Sequence, residues 1–189
     1  VDLEKIKIYH TVEDTGNADF IEDNAPFKST SKNCWAGQGY YFWERYIEHA
    51  HRWGVIRYKK GKYVICGSFL SYSSEDCFNL LDLDHLDYLS LLRNLLKGQK
   101  GVQECSLENI VKYSKKNKLF PFTVIRMAEA NKDKLSSDDQ NLIELKDGQR
   151  ASFLSLKPRI VLFVENLQDA TLEDFKVEFP DKYVSGYLG

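Results

Sequence analysis

The alternation of apolar and polar positions lays out a chain of short elements. Residues 6–9, Ile-Lys-Ile-Tyr, alternate with period two and predict a strand ending at His10. Residues 11–33 are rich in Asp, Asn, Ser and Thr, contain Pro26, and predict mostly loop. Residues 40–43 predict a short aromatic strand. Residues 44–53 predict a helix with Ile47, Ala50 and Trp53 on one face, and Gly54 reads as its C-terminal stop. Residues 55–58 and 63–70 predict two strands joined by a turn at Gly61. Residues 84–97 place Leu86, Leu89, Leu92 and Leu96 on one helical stripe, with Asp84 as cap and Gly98 as stop. Ser106 can cap a further helix carrying Leu107, Ile110 and Val111. Residues 122–127 return to strand, and 128–150 are polar, a short helix or a loop. Residues 159–165 form the most apolar strand of the chain, and 175–179 a last one.

This order is mixed rather than a regular alternation of strand and helix. Neither a G-x-G-x-x-G nor a P-loop pattern occurs, so a Rossmann or P-loop nucleotide site has no support. The expected class is α+β, with two or three helices inserted in the middle.

Composition narrows the function classes. The 189 residues are 43% apolar, enough for the core of one domain. Charged residues make up 29% and nearly cancel, at a net −2, which disfavours a disordered tail and gives no clear nucleic-acid signal. No apolar run approaches the roughly 18 residues of a membrane span, and the first ten residues lack a leader pattern. Cys34, Cys66, Cys77 and Cys105 are too few and scattered for a disulfide scaffold, so a cytoplasmic protein with free thiols is expected.

Two candidate chemistries are weak. His49 and His51 lie two apart on the predicted helix and point away from each other, so no metal site is expected. Cys34-Trp35 matches the start of a papain-type helix, but Gly37 and Gly39 would break that helix. His85, the one histidine beyond the immediate neighbourhood, sits in a leucine-rich segment.

A third constellation has three parts in order. A strand ends in Tyr9-His10-Thr11. Gly37-Gln38-Gly39-Tyr40-Tyr41-Phe42 follows and runs into the helix bearing Ala50 and Trp53. Near the C-terminus Arg159-Ile160-Val161-Leu162-Phe163 begins an apolar strand. Over residues 8–54 and 157–178 the chain resembles the ADP-ribosyltransferase superfamily of the H-Y-E type, which includes the poly(ADP-ribose) polymerases and many bacterial toxins. The resemblance implies one domain over residues 1–189 with split antiparallel sheets and a helical insertion at about 71–120. It implies NAD as substrate, bound between the sheets, and transfer of ADP-ribose to a macromolecular target such as a protein. His10 would hold a ribose hydroxyl, Thr11 would offer backbone groups to the nicotinamide amide, and Tyr41 would stack on the ring. Gly37 and Gly39 would let the loop approach the ligand closely, Tyr40 would be among the residues that bind it, and Trp53 would form the opposite wall.

The chain departs from the family pattern twice. Thr11 stands where the family has glycine. Arg159 takes the place of the catalytic glutamate, where a guanidinium opposes the oxocarbenium-like charge that develops as the nicotinamide bond breaks. Glu165 shares a strand face with Arg159, but six residues at ~3.3 Å put it about 20 Å away. Glu13, Glu144 and Gln149 are the other candidates to enter from loops in place of the glutamate. The alternative reading is a catalytically inactive module on the same fold that binds a nucleotide-like ligand or a peptide.

Overall fold

The computed structural model describes residues 3–32, 34–99, 105–129, 142–144 and 153–184. In chain order these form β1 (Leu3–Glu13), α1 (Ala18–Asn24), β2 (Tyr40–Glu44), α2 (Ile47–Tyr58), β3 (Tyr63–Ser73), β4 (Cys77–Asn79), α3 (Leu83–Lys97) and α4 (Leu107–Lys116). Then come β5 (Val124–Ala128), β6 (Leu142–Glu144), β7 (Phe153–Ser155), β8 (Ile160–Val164), β9 (Thr171–Leu172) and β10 (Lys176–Phe179). The class is α+β. The main sheet runs β10-β3-β1-β2-β8-β5-β4, with β9 beside β10 on the outer edge of β3, and β6 and β7 pair separately. Every pairing is antiparallel except β4 with β5.

Period two sorts the sheet residues onto two faces. Tyr9, Trp43, Ile65, Ile125, Val161 and Phe163 face one side, where Ala50 of α2, Leu92 and Leu96 of α3, and Ile110 and Val111 of α4 cover them. Ile8, Phe42, Val64, Leu162 and Val164 face the other, packed with Ile21 of α1, Phe175 and Val177. β8 lies in mid-sheet and is buried at all five positions, which explains why it reads as an unbroken apolar run.

The structure corrects several expectations. β1 does not end at His10 but continues to Glu13, paired with β3 throughout. Residues 11–33 also contain α1, capped by the Asn17 side chain on the Phe20 N–H. The cap of α3 is Asp82, whose carboxylate accepts from the N–H groups of Asp84 and His85. Gly98 and Ser106 act as expected at their helix ends. The segment 71–120 is not wholly an insertion, because β4 belongs to the main sheet and pairs in register with β5, Cys77 opposite Val124.

The largest correction concerns residues 54–58. Gly54 does not stop α2, and 55–58 are not a strand. The helix runs on to Tyr58 and ends where Lys59 turns to φ 76°, its N–H bonded to the Val55 carbonyl. Gly54 is there for closeness: a Cβ at this position would collide with the Tyr63 ring. That ring in turn stacks on Phe179, at 5.1 Å between centroids, and its hydroxyl meets His51 Nδ1 at 3.0 Å. Gly54→Ala therefore trades about 1 kcal/mol of helix propensity against overpacking of about 1–3 kcal/mol. A net loss of about 1 kcal/mol is expected in urea unfolding, and a stabilised variant would contradict the packing argument.

Candidate functional site

β1 and β2 touch at only two ladder positions, Ile8 opposite Glu44 and Tyr9 opposite Trp43. Beyond them each strand stays with its outer neighbour. β1 continues along β3 to Glu13 opposite Tyr63, and β2 along β8 to Tyr40 opposite Val164. The sheet thus opens between β1 and β2. A wedge of chain enters the gap: Ser29 and Gly39 exchange backbone hydrogen bonds at 2.7 and 3.2 Å.

His10 ties the opening together. Its Nδ1 lies 3.1 Å from the Tyr41 carbonyl on β2, and its Nε2 lies 3.1 Å from the Phe27 amide nitrogen in the wedge. The amide must donate, so Nε2 accepts and Nδ1 carries the proton that goes to the carbonyl. One imidazole replaces the ladder bonds that β1 and β2 cannot make past Tyr9. Burial lowers the His10 pKa to about 4, against the opposing pull of the Tyr41 carbonyl.

The opening leads into a cleft of about 560 Å³. Its base comes from both sides of the split, His10, Thr11 and Val12 on β1 and Tyr41, Phe42 and Trp43 on β2. One wall is the face of α2 that carries Trp53, Arg57 and Tyr58. The other is the chain of residues 27–31 with Cys34 and Trp35. Thr11 fixes the α2 wall, its hydroxyl donating to the Ala50 carbonyl at 3.1 Å. Tyr41 fixes the other: its hydroxyl donates to the Gly37 carbonyl at 2.6 Å and accepts from the Ala36 N–H at 3.1 Å. Burial raises the pKa of that phenol, so it stays protonated at neutral pH.

The expected site residues therefore divide. His10, Thr11, Tyr41 and Trp53 line one cleft. The polar groups of the first three are engaged in holding the cleft's own walls, and Trp53, 36% exposed, presents its ring to the opening. Gly39 and Tyr40 are not in the lining. Gly39 serves packing, since a Cβ there would run into the Phe163 ring and the Val164 carbonyl. Tyr40 is half-buried against the opposite core. Arg159 is also outside the lining; its guanidinium meets Glu129 at 3.1 Å, and Arg52 meets the same carboxylate oxygen at the same distance. Among the candidate acids, Glu165 pairs with Lys115, and Glu13 is exposed at the end of β1. The Glu144 side chain and Gln149 lie outside the described residues.

No protein-family model, curated protein or solved structure matches this chain. What the cleft can do follows from its own chemistry. Its exposed lining residues include the aromatic Trp35 and Trp53, the hydroxyl-bearing Thr30 and Ser31, and the cations Lys28 and Arg57. Rings of this kind take flat heterocycles, and hydroxyls and cations take phosphate and sugar oxygens. The thiol-hydrolase reading gains nothing here. Cys34 Sγ donates to the Ser31 carbonyl at 3.1 Å and sits 3.2 Å from Ser29 Oγ, while His85 accepts the Asn79 N–H and packs against Phe78 and Phe122.

Sequence reasoning missed Lys28, Trp35, Arg57 and Tyr58. For Arg57 the signal was present. It stands four residues after Trp53, on the same face of a helix, but the supposed stop at Gly54 placed it on a strand. The wall formed by residues 27–31 with Cys34 and Trp35 has no periodic pattern and is positioned by contacts with distant residues, among them His10, Gly39 and Trp43.

Proposed function

We propose that this chain is a binding domain for an NAD-type dinucleotide, built on an ADP-ribosyltransferase-like split sheet, and that it holds its ligand without transferring ADP-ribose. The observation that carries the reading is the position and lining of the cleft. It opens where β1 and β2 part, has the volume of a small-molecule site, and joins aromatic walls to phosphate-seeking groups. Binding is favoured over transfer by Arg159, which pairs with Glu129 away from the cleft instead of placing a carboxylate beside a nicotinamide ribose.

Calorimetry with NAD at millimolar concentration tests the reading. Trp53→Ala is the informative variant because the ring is partly exposed, whereas Tyr41→Ala would also release the loop at Ala36 and Gly37. Loss of a stacked base costs about 1–3 kcal/mol, so affinity should fall roughly tenfold or more. Absence of binding by the unaltered chain rejects the proposal. Release of nicotinamide above the rate in buffer rejects its second half and restores a transferase.

A further inference from the structure

The two walls of the cleft carry the same pair of groups. α2 contributes Trp53 and, one helical turn on, Arg57. The facing chain contributes Trp35 and Lys28. Both cations are exposed, and neither makes an ion pair among the described residues. Two cations lining one opening repel each other, and an anion held between them relieves that repulsion. Each wall also offers an indole, so a heterocycle can stack while its phosphates reach the cations.

Resting on the dinucleotide-binding reading, we infer that Lys28 and Arg57 form a two-sided clamp for a pyrophosphate, and that the cleft ranks ligands by negative charge. The preferred ligand class is an anionic nucleoside-diphosphate derivative. ADP-ribose and NADH share the pyrophosphate with NAD but lack its positive pyridinium, which would sit in the same opening as the two cations. Arg57 is suited to the task by its planar fork of donors, and Lys28 as a mobile point charge with Ser29 and Thr30 beside it. Because the clamp joins the loop wall to the helix wall, ligand binding would also draw residues 28–31 toward α2.

The test is calorimetry at one fixed low ionic strength with ADP-ribose, NADH, NAD and adenosine, on the unaltered chain and on the double variant Lys28→Gln, Arg57→Gln. Both sites are exposed, so the variant should unfold at the same temperature as the parent. ADP-ribose and NADH should bind about three- to tenfold more tightly than NAD, and adenosine far more weakly than any of them. In the double variant the preference should shrink to nearly none, and raising the salt should erase it in the parent. If NAD binds as tightly as ADP-ribose, or if the preference survives in the double variant, the clamp is wrong and the dinucleotide-binding domain stands. If no nucleotide binds, the domain assignment falls and the clamp with it.

Discussion

Arg126→Ala should cost about 3–5 kcal/mol of folding stability, the largest loss expected from any single charged residue among those described. Arg126 and Glu44 face the same side of the sheet from β5 and β2, with β8 between them. Their strand neighbours Arg126, Leu162 and Phe42 stand in line across the three strands, and Glu44 is two residues beyond Phe42. The guanidinium reaches diagonally over β8 to make two bonds: Nε donates to Oε2 at 2.7 Å and Nη2 to Oε1 at 2.9 Å. A third, weaker contact goes to Asn79 Oδ1 at 3.4 Å. Glu44 is only 4% exposed, so removing its partner strands a carboxylate in the core. Arg45 cannot take over, being exposed and 4.0 Å away.

Arg126→Lys should recover only part of the loss, since an ammonium cannot bond both carboxylate oxygens in one plane. A double change of Glu44 and Arg126 to leucine and methionine should be far milder than Arg126→Ala, because it removes the buried charge together with its partner. Urea unfolding of the four proteins measures all of this. A loss below about 1 kcal/mol for Arg126→Ala would mean that Glu44 finds water or another donor.

The second large effect is on acid stability. His10 is neutral in the fold and has an ordinary pKa of 6.5 that burial lowers to about 4. Between those values the unfolded chain binds a proton that the folded chain refuses, so stability rises with pH across the window. Above pH 6.5 the contribution is complete; it drains away as the pH falls and is gone below about 4. The full gap corresponds to about 3 kcal/mol. His49 and His51 act in the same direction, each lowered chiefly by burial. His10→Asn separates the contributions. The amide can still donate toward the Tyr41 carbonyl but does not titrate in this range, so its stability should vary less between pH 6.5 and 4 than that of the parent. Equal slopes would show that His10 gains a proton without cost, and that its bond to the Phe27 amide is dispensable.

What could be read from the sequence was what a single face or a single run determines. β8 is apolar at every position because it is covered on both faces, so no partner had to be known to find it. Ser106 and Gly98 revealed helix ends because capping is local chemistry. Gly54 misled for the opposite reason. Its role is set by the Tyr63 ring, a residue beyond the turn, and a glycine needed for packing is spelled like one needed for chain reversal. His10 shows the same limit at the site. The sequence placed it at the end of a strand that in fact runs on to Glu13, and the contacts that use both ring nitrogens, with Tyr41 and Phe27, join segments 31 and 17 residues away. The Glu44–Arg126 pair spans 82 residues and left no local trace. Arg159 was aligned onto a catalytic position by its strand alone, and the Glu129 that claims it lies on another segment.

The two margins of the main sheet bear on how the protein behaves in a crowded solution. On one side β4 has three residues. On the other, β10 shifts register between Val177 and Phe179 and runs into Pro180, which has no N–H to offer, while β9 occupies only Leu70 and Ser71 of its neighbour. Among the described residues neither rim presents a long, straight row of free donors and acceptors, so a foreign chain has little template on which to zip itself. The domain can therefore keep a sheet open at its middle without offering open borders where fibres begin.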